Sequence, residues 1–216
     1  MFSFIAILMV FYDKNIRFYL QQREEQCCSV RRKNVTSDMM MGYMAEALLL
    51  LMRDTPYANI TVGDITQKAG VNRSTYYRHF NTKEAIIRFY YDSIMRESNE
   101  AFLRLNSTDF RLYIRTRFET LYAHREDLLN LHRSGLSRLL MDVLKERFHF
   151  DELEKSSATD EQFRISYHLG GLYNNMLLWF NHGMAESPEL MTDIAMSYRT
   201  QEAIQLPAMG ENEARA

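Results

Sequence analysis

Arg73, Ser74, Thr75, Tyr77, Arg78 and His79 crowd two guanidiniums, two small hydroxyls, a phenol and an imidazole into two helical turns. Groups of this kind donate hydrogen bonds to anionic oxygens and to base edges. Arg73 has the fork that fits guanine O6 and N7, and Ser74 and Thr75 are short enough to let a helix approach closely. Tyr77, Arg78, His79 and Lys83 are spaced to reach phosphates, contacts that position a protein without reading sequence. From Thr61 to Lys83 there are four basic residues (Lys68, Arg73, Arg78, Lys83) against one acid, Asp64. The chemistry fits double-stranded DNA; the plainer alternative is a solvated basic face on an unrelated helix.

The residues around this cluster specify how it is held. Thr61 can cap a helix, with Asp64 three residues on in place of the usual Glu or Gln of a capping box. Val62, Ile65, Thr66 and Ala69 then share one helical face. Gly70 stands where the chain must leave that helix through a left-handed residue. Val71 follows the turn, Asn72 is a good cap for the next helix, and Tyr76 and Phe80 form its buried edge. Asn81 and Glu84 are spaced as a capping box for a further helix beginning near Thr82. The pattern predicts two short helices joined by a glycine turn, with a third starting close behind.

In front of it, Tyr43, Met44, Ala47, Leu48, Leu51 and Met52 recur with helical period, which predicts a helix from about Ser37 that packs over the next two. The stretch 54–57, with Pro56, ends it, and Tyr57 and Ile60 plug the base of a small core. Beyond it the chain reads as consecutive amphipathic helices near 82–105, 109–123, 125–132, 134–148 and 160–184. Thr159 is a candidate cap for the last of these. Ser187-Pro188-Glu189 starts a final helix, running to about Ile204.

In this register the segment resembles the TetR/AcrR regulators, bacterial one-component transcription factors. Thr61, Val62, Asp64, Ile65, Ala69, Gly70, Val71, Ser74, Thr75, Tyr77, His79, Phe80, Lys83, Glu84 and Ala85 carry the resemblance. It implies base contacts by Arg73 and Ser74 and backbone contacts by Thr61, Thr75, Tyr77, His79 and Lys83, with Arg78 a further donor. Gly63 departs from the pattern, since many members carry a long DNA-touching side chain there. Fewer bases are then read, or more weight falls on Arg73 and Arg78. Residues 165–191 resemble the C-terminal region of a subset from low-GC Gram-positive bacteria that includes a dihydroxyacetone kinase regulator. That resemblance implies no single effector.

The expected fold is all-α. Residues 37–84 form a three-helix DNA-binding domain, 85–206 a helical regulatory and dimerisation domain, and 207–216 a disordered tail. The last two long helices are expected to form a four-helix bundle with their copies in a homodimer. Gly170 and Gly171 would let a neighbouring helix approach closely. Phe102, Tyr113, Phe118, Tyr122, Phe148, Tyr167, Tyr173, Met176 and Trp179 are candidate walls of an effector pocket, although plain core packing is the commoner use of such residues. The effector is a small molecule or a protein partner of unstated identity. A helical adaptor that keeps the fold without reading DNA is the alternative.

Charge is divided along the chain: residues 1–83 carry eleven Lys/Arg and seven Asp/Glu, the remainder fifteen and twenty-one. A cationic front suits a protein that presents one end to DNA. Cys27 and Cys28 are adjacent, which fits neither a metal site nor a disulfide scaffold, and they read as reduced thiols of a cytoplasmic protein. No histidine has zinc spacing, and no nucleophile elbow, phosphate loop or dinucleotide turn is present, so neither an enzyme nor a cofactor is expected. Residues 1–36 are an extension. Its first twelve residues are almost wholly apolar, yet too short to span a bilayer and without the flanks of a signal peptide. Three readings of it stand side by side: a mis-assigned start upstream of Met39, Met40 or Met41, an extra helix or arm carrying Arg31, Arg32 and Lys33, and a membrane-targeting device. No membrane partner is expected of the rest.

Overall fold

The computed structural model describes residues 31–147 and 159–197, and every regular element in them is helical. The expectations for residues 1–30 (the cysteine pair included), for Phe148, for the last helix beyond Ser197 and for the tail lie outside the described residues. The helices are α1 (Arg31–Leu51), α2 (Val62–Ala69), α3 (Arg73–His79), α4 (Lys83–Arg104), α5 (Phe110–Ala123), α6 (Arg125–Arg133), α7 (Arg138–Arg147), α8 (Thr159–Asn181) and α9 (Pro188–Ser197). A single 3₁₀ turn, Tyr57–Asn59, joins α1 to α2.

The chain is already helical at Arg31, so the start expected near Ser37 is not a helix boundary, and residues 31–36 are part of α1. Ser37 does not cap; its Oγ lies 3.4 Å from His79 Nδ1 on α3. Met44, Ala47, Leu48 and Met52 are buried as the period requires, joined by Ala45 and Leu49, but Tyr43 is 44% exposed. The buried stripe is broader than the sequence period implied because α1 packs on two sides, against α2 and α3 and against α4.

One continuous core runs from Met44 of α1 through Ile65, Tyr76, Phe80, Ile86, Tyr91 and Leu140 to Trp179 and Phe180 of α8. The head and the C-terminal helices are therefore not separated by a hydrophilic seam. Helix α4 belongs to both: Ile86 and Ile87 pack in its first turns, and farther along it contacts α5 and α7. A second, small cluster of Phe102, Phe110 and Tyr113 closes the far end of α4 against α5, with Met196 of α9 packed on it. Helix α9 lies mainly on α5, where Arg111 pairs with Glu189 and Asp193 and Arg115 with Glu189. These pairs are exposed and add little compared with the apolar contacts beneath them.

Helix ends diverge from the sequence expectation where loops carry buried groups. Helix α7 starts at Arg138, not near residue 134, because Ser134-Gly135 serves to stop α6: Gly135 has φ 72°, and the Leu136 N–H returns to Leu131 O at 3.0 Å. Buried Ser137 then bonds His132 Nδ1 at 2.9 Å. Helix α8 ends at Asn181, three residues before the expected Met184, and Thr159 lies within it. Gly183 (φ 65°) and Met184 (φ 53°) turn the chain. A left-handed methionine is strained, but its side chain is fully buried and its N–H donates to Trp179 O at 2.8 Å. Arg125 fixes the same turn by donating from Nε and Nη2 to Gly183 O at 2.9 and 2.7 Å.

Candidate nucleic-acid interface

The capping box at the head of α2 forms as the spacing requires. Asp64 N–H donates to Thr61 Oγ1 at 3.2 Å, and Thr61 N–H returns to Asp64 Oδ2 at 2.8 Å. The Thr61 hydroxyl also donates to that oxygen at 2.7 Å. The backbone N–H of Thr61, then its hydroxyl, hold the Asp64 carboxyl below the ordinary range. Ile65 and Thr66 are buried and Val62 and Ala69 half-buried, so the predicted face is the packed one. Gly70 closes α2 at φ 66°, its N–H accepted by Gln67 O, and Val71 N–H returns to Thr66 O at 3.0 Å.

Helix α3 therefore leaves the turn in a fixed direction. Tyr76 is buried and Phe80 nearly so, and burying two such side chains contributes about 1.5–3 kcal/mol each. Phe80 packs edge-on against Phe89 of α4 with ring centroids 6.0 Å apart. With that face anchored, the opposite one points outward: Arg73, Ser74, Tyr77 and Arg78 are exposed, Tyr77 at 58%. The Tyr77 ring stands at 88° on the edge of Tyr76, centroids 5.1 Å apart, so a buried ring orients an exposed phenol. Asn72 occupies the cap position in extended conformation but makes no side-chain hydrogen bond to the helix. Thr75 is half-buried, its N–H bonded to Asn72 O at 2.9 Å. His79 is half-buried beside Ser37.

Lys83 is placed differently from its neighbours. Its ammonium donates to Tyr57 O at 2.8 Å and Ile60 O at 2.7 Å and sits 4.4 Å over the Tyr57 ring. Two of its three protons thus tie α4 to the loop before α2. The expected Asn81–Glu84 box is also replaced: Thr82 is the cap, its Oγ1 accepting from Ala85 N–H at 3.2 Å. Thr82 supplies the oxygen one residue closer to the helix. The Glu84 carboxyl is held low by its own backbone amide, with Tyr57 and Thr82 contributing, while burial and then Glu84 push the Tyr57 phenol up.

At Gly63 an added Cβ would stand 3.4 Å from Thr61 Oγ1, an ordinary contact. The position is sterically open to a side chain, so its bareness is a choice of sequence and not of packing. Lys68, counted in the charge balance without a role, is exposed in the last turn of α2.

Among the described residues the candidate effector residues lie in several places. Phe118, Met176 and Trp179 come together on a cavity of about 180 Å³ among α5, α8 and α9. Tyr122 stacks on Trp179 at 6.2 Å but does not line that cavity. Phe102 and Tyr113 belong to the small cluster at the far end of α4. Tyr173 packs beside the core with its hydroxyl 3.4 Å from Ser137 O, and Tyr167 is 75% exposed. Helical spacing placed all of them on helices; it did not say which faces meet. Among residues that sequence reasoning missed is Glu186, which lines the cavity with His182 four residues before it. The i, i+4 spacing was the available signal, hidden because the chain between them is a turn and not a helix.

A second cleft, about 480 Å³, lies between α1, α4 and the start of α6, lined among others by Asp38, Glu46, Arg53, Tyr90, Arg96, His124 and Asp127. The Tyr90 hydroxyl lies 3.1 Å from both His124 Nδ1 and Asp127 Oδ2, and His124 Nε2 lies 2.8 Å from Glu97. Arg53, at the end of α1, reaches Asp127 at 3.6 Å. This polar network joins the head to α6. Among the described residues no group of three or more His, Cys, Asp or Glu could hold a metal ion, and no helix is long and apolar enough to cross a membrane.

Residues 46–88 match the family described as bacterial regulatory proteins, tetR family. The HTH-type transcriptional regulator EthR is 32% identical to this chain over 83 residues, both in Mycobacterium tuberculosis (strain ATCC 25618 / H37Rv) and in Mycobacterium bovis (strain ATCC BAA-935 / AF2122/97). The similarity covers 35% of this chain and 38% of each relative. The matched segment takes in the C-terminal end of α1 from Glu46, all of α2 and α3 and the start of α4. Its anchored face and outward basic face are those just described. Over residues 46–88 the chain is thus similar to the tetR family of bacterial regulatory proteins.

Proposed function

We propose that the chain is a transcriptional regulator of the tetR type, a cytoplasmic homodimer that binds a palindromic operator and is released or modulated by an effector. The observation that carries the reading is the outward face of α3. Arg73, Ser74, Tyr77 and Arg78 are exposed there, on a helix fixed by buried Tyr76 and Phe80 and by the Gly70 turn. A recognition helix held so rigidly presents its N-terminal residues to base edges in the major groove. Arg73 and Ser74 read bases; Thr61, Thr75, Tyr77, Arg78 and His79 hold the backbone. Lys83 serves chiefly as a clamp within the head and has one proton left for a phosphate.

The second copy has a surface to occupy. Phe163 (74% exposed), Tyr167, Gly171 and Leu178 are exposed in one stripe along α8, and Leu190 is exposed on α9. An added Cβ at Gly170 or Gly171 would meet nothing within 4 Å, so among the described residues no neighbour uses the close approach that two glycines permit. An exposed apolar stripe of this kind marks an association surface, and a two-fold pairing of α8 and α9 gives the four-helix arrangement of a symmetric dimer. Two heads about 34–36 Å apart, or a multiple, then meet successive major-groove faces. Movement of α4, shared by both halves of the core, links an effector to that spacing.

The reading is tested by a gel shift on DNA from upstream of the protein's own gene. Wild type binds with a discrete shift, Arg73→Ala weakens binding roughly tenfold or more, and Tyr77→Phe weakens it modestly. If both variants bind as tightly as the parent at physiological salt, α3 is not the reading element.

A further inference from the structure

The junction between the head and the helices behind it turns on one imidazole. His124 ends α5 and opens α6, and both of its ring nitrogens have oxygen partners. Nδ1 lies 3.1 Å from the Tyr90 hydroxyl and Nε2 lies 2.8 Å from Glu97 Oε2. The same hydroxyl lies 3.1 Å from Asp127 Oδ2, and Asp127 Oδ1 faces Arg53 at 3.6 Å. These contacts form one line, Arg53–Asp127–Tyr90–His124–Glu97, that ties the end of α1 to α6 and α4. The Tyr90 ring stands edge-on to the imidazole with centroids 5.8 Å apart, which keeps the two rings aligned.

Protons decide which of these contacts can coexist. An ionised carboxylate only accepts, and a phenol has one proton to give. Burial, then the Asp127 charge, push the Tyr90 phenol well above its ordinary range, so it keeps that proton. When Tyr90 donates to Asp127, its oxygen is left to accept from Nδ1, while Glu97 needs a proton on Nε2. An imidazole with a proton on both nitrogens is the cation. Either neutral tautomer loses a contact. A bare Nδ1 draws the phenol proton away from Asp127, and a bare Nε2 sets a lone pair against the Glu97 carboxylate.

The charges packed around the ring favour the cation. From α4, Glu97 supports it, and Arg96 is paired with Asp92 and Asp38. From α6, Asp127 supports it, Glu126 is exposed, and Arg125 is turned away to Gly183 O. From α1, Asp38 and Glu46 line the same cleft as the ring, against Arg53. The end of α5 favours a positive charge at this position and the start of α6 disfavours it, so the helix ends offset one another.

We propose that His124 is a proton-operated latch between head and body. With both nitrogens protonated it completes the line from Arg53 to Glu97; with one bare it leaves that line a donor short. The hold on α1 is therefore complete on the acid side and is lost as pH rises through the range in which imidazoles give up their proton. The latch concerns how the head is held, not what it binds, and stands apart from the DNA reading.

Hydrogen exchange read by mass spectrometry on the full chain tests it, with wild type and His124→Gln compared at one pH at a time so that intrinsic exchange cancels. Glutamine keeps an amide donor for Glu97 and carries no charge. The other histidines titrate in both proteins. Peptides covering the end of α1 and the start of α6 should be about threefold better protected in wild type near pH 6, roughly the worth of one hydrogen bond, and equally protected near pH 8. Tyr90→Phe keeps the ring and removes the relaying hydroxyl; its shortfall should likewise shrink from the lower pH to the higher, and it serves where His124→Gln does not fold. A wild-type advantage that is the same at both pH values, absent at both, or larger at the higher one overturns the proposal.

Discussion

Single side chains divide into those that hold the head together and those left free to meet DNA. Asp64 belongs to the first group. Its folded carboxyl titrates below the ordinary value, so the stabilisation it gives is complete above the unfolded value of about 4 and is lost as pH falls through the lower folded value. Asp64→Asn should therefore melt earlier than wild type near neutral pH, and the gap between the two melts should narrow as the pH falls into the acid range; a gap that does not narrow would contradict this. Lys83 is the more instructive residue. Its type and register fit a phosphate contact, but the carbonyls of Tyr57 and Ile60 take two of its protons, and those acceptors lie too far away in sequence to be foreseen. Lys83→Met should cost about 1.5–3 kcal/mol, the range for hydrogen bonds to charged groups, visible as a lower melting temperature. A variant that melts like the parent would show that the clamp is idle. By contrast, Arg73, Ser74, Tyr77 and Arg78 were legible from local spacing, because exposure there is set by neighbours one helical turn away.

At the scale of elements, legibility follows the same rule. The starts of α2 and α9 and both ends of α4 and α5 lie within a residue or so of expectation, since Thr61, Thr82, Asp109 and Ser187 act through bonds to backbone two or three residues on. The end of α8 and the start of α7 were not legible, because Met184, Arg125 and the Ser137–His132 pair fix them from outside the local sequence. Gly70 is the element-level feature with the clearest consequence. At φ 66° an added Cβ costs about 1–2 kcal/mol, although nothing crowds it. Gly70→Ala should lower stability by that amount and weaken DNA binding further by tilting α3. Unchanged stability would mean that the turn relaxes to another conformation, and circular dichroism melts decide between the two.

At the scale of the molecule, the all-α class follows from periodicity and few glycines and prolines, whereas the packing of the far helices does not. Periodicity marks Phe102, Tyr113, Tyr167 and Trp179 alike as helix residues, yet they end in a small cluster, on an exposed face and in the main core. Which faces meet is decided by contacts between distant segments, and a single sequence does not carry them. The division expected at residue 84 is likewise blurred by a core that runs through α4. Exposed Phe163 and Tyr167 bear on assembly: Phe163→Glu with Tyr167→Glu should convert a dimer into monomers by sedimentation, leaving the helical signal intact. A double variant that sediments as the parent does would move the dimer surface elsewhere.

The central claim, that α3 holds DNA through its outward face, is tested most directly by the salt dependence of operator affinity. Each neutralised phosphate gives a slope of about −0.9 in the logarithm of affinity against that of salt concentration. Arg78→Ala should flatten the slope by about 1 for each phosphate that Arg78 neutralises in the parent, and weaken binding evenly across sequences. A variant with the parent's slope and affinity would contradict the account.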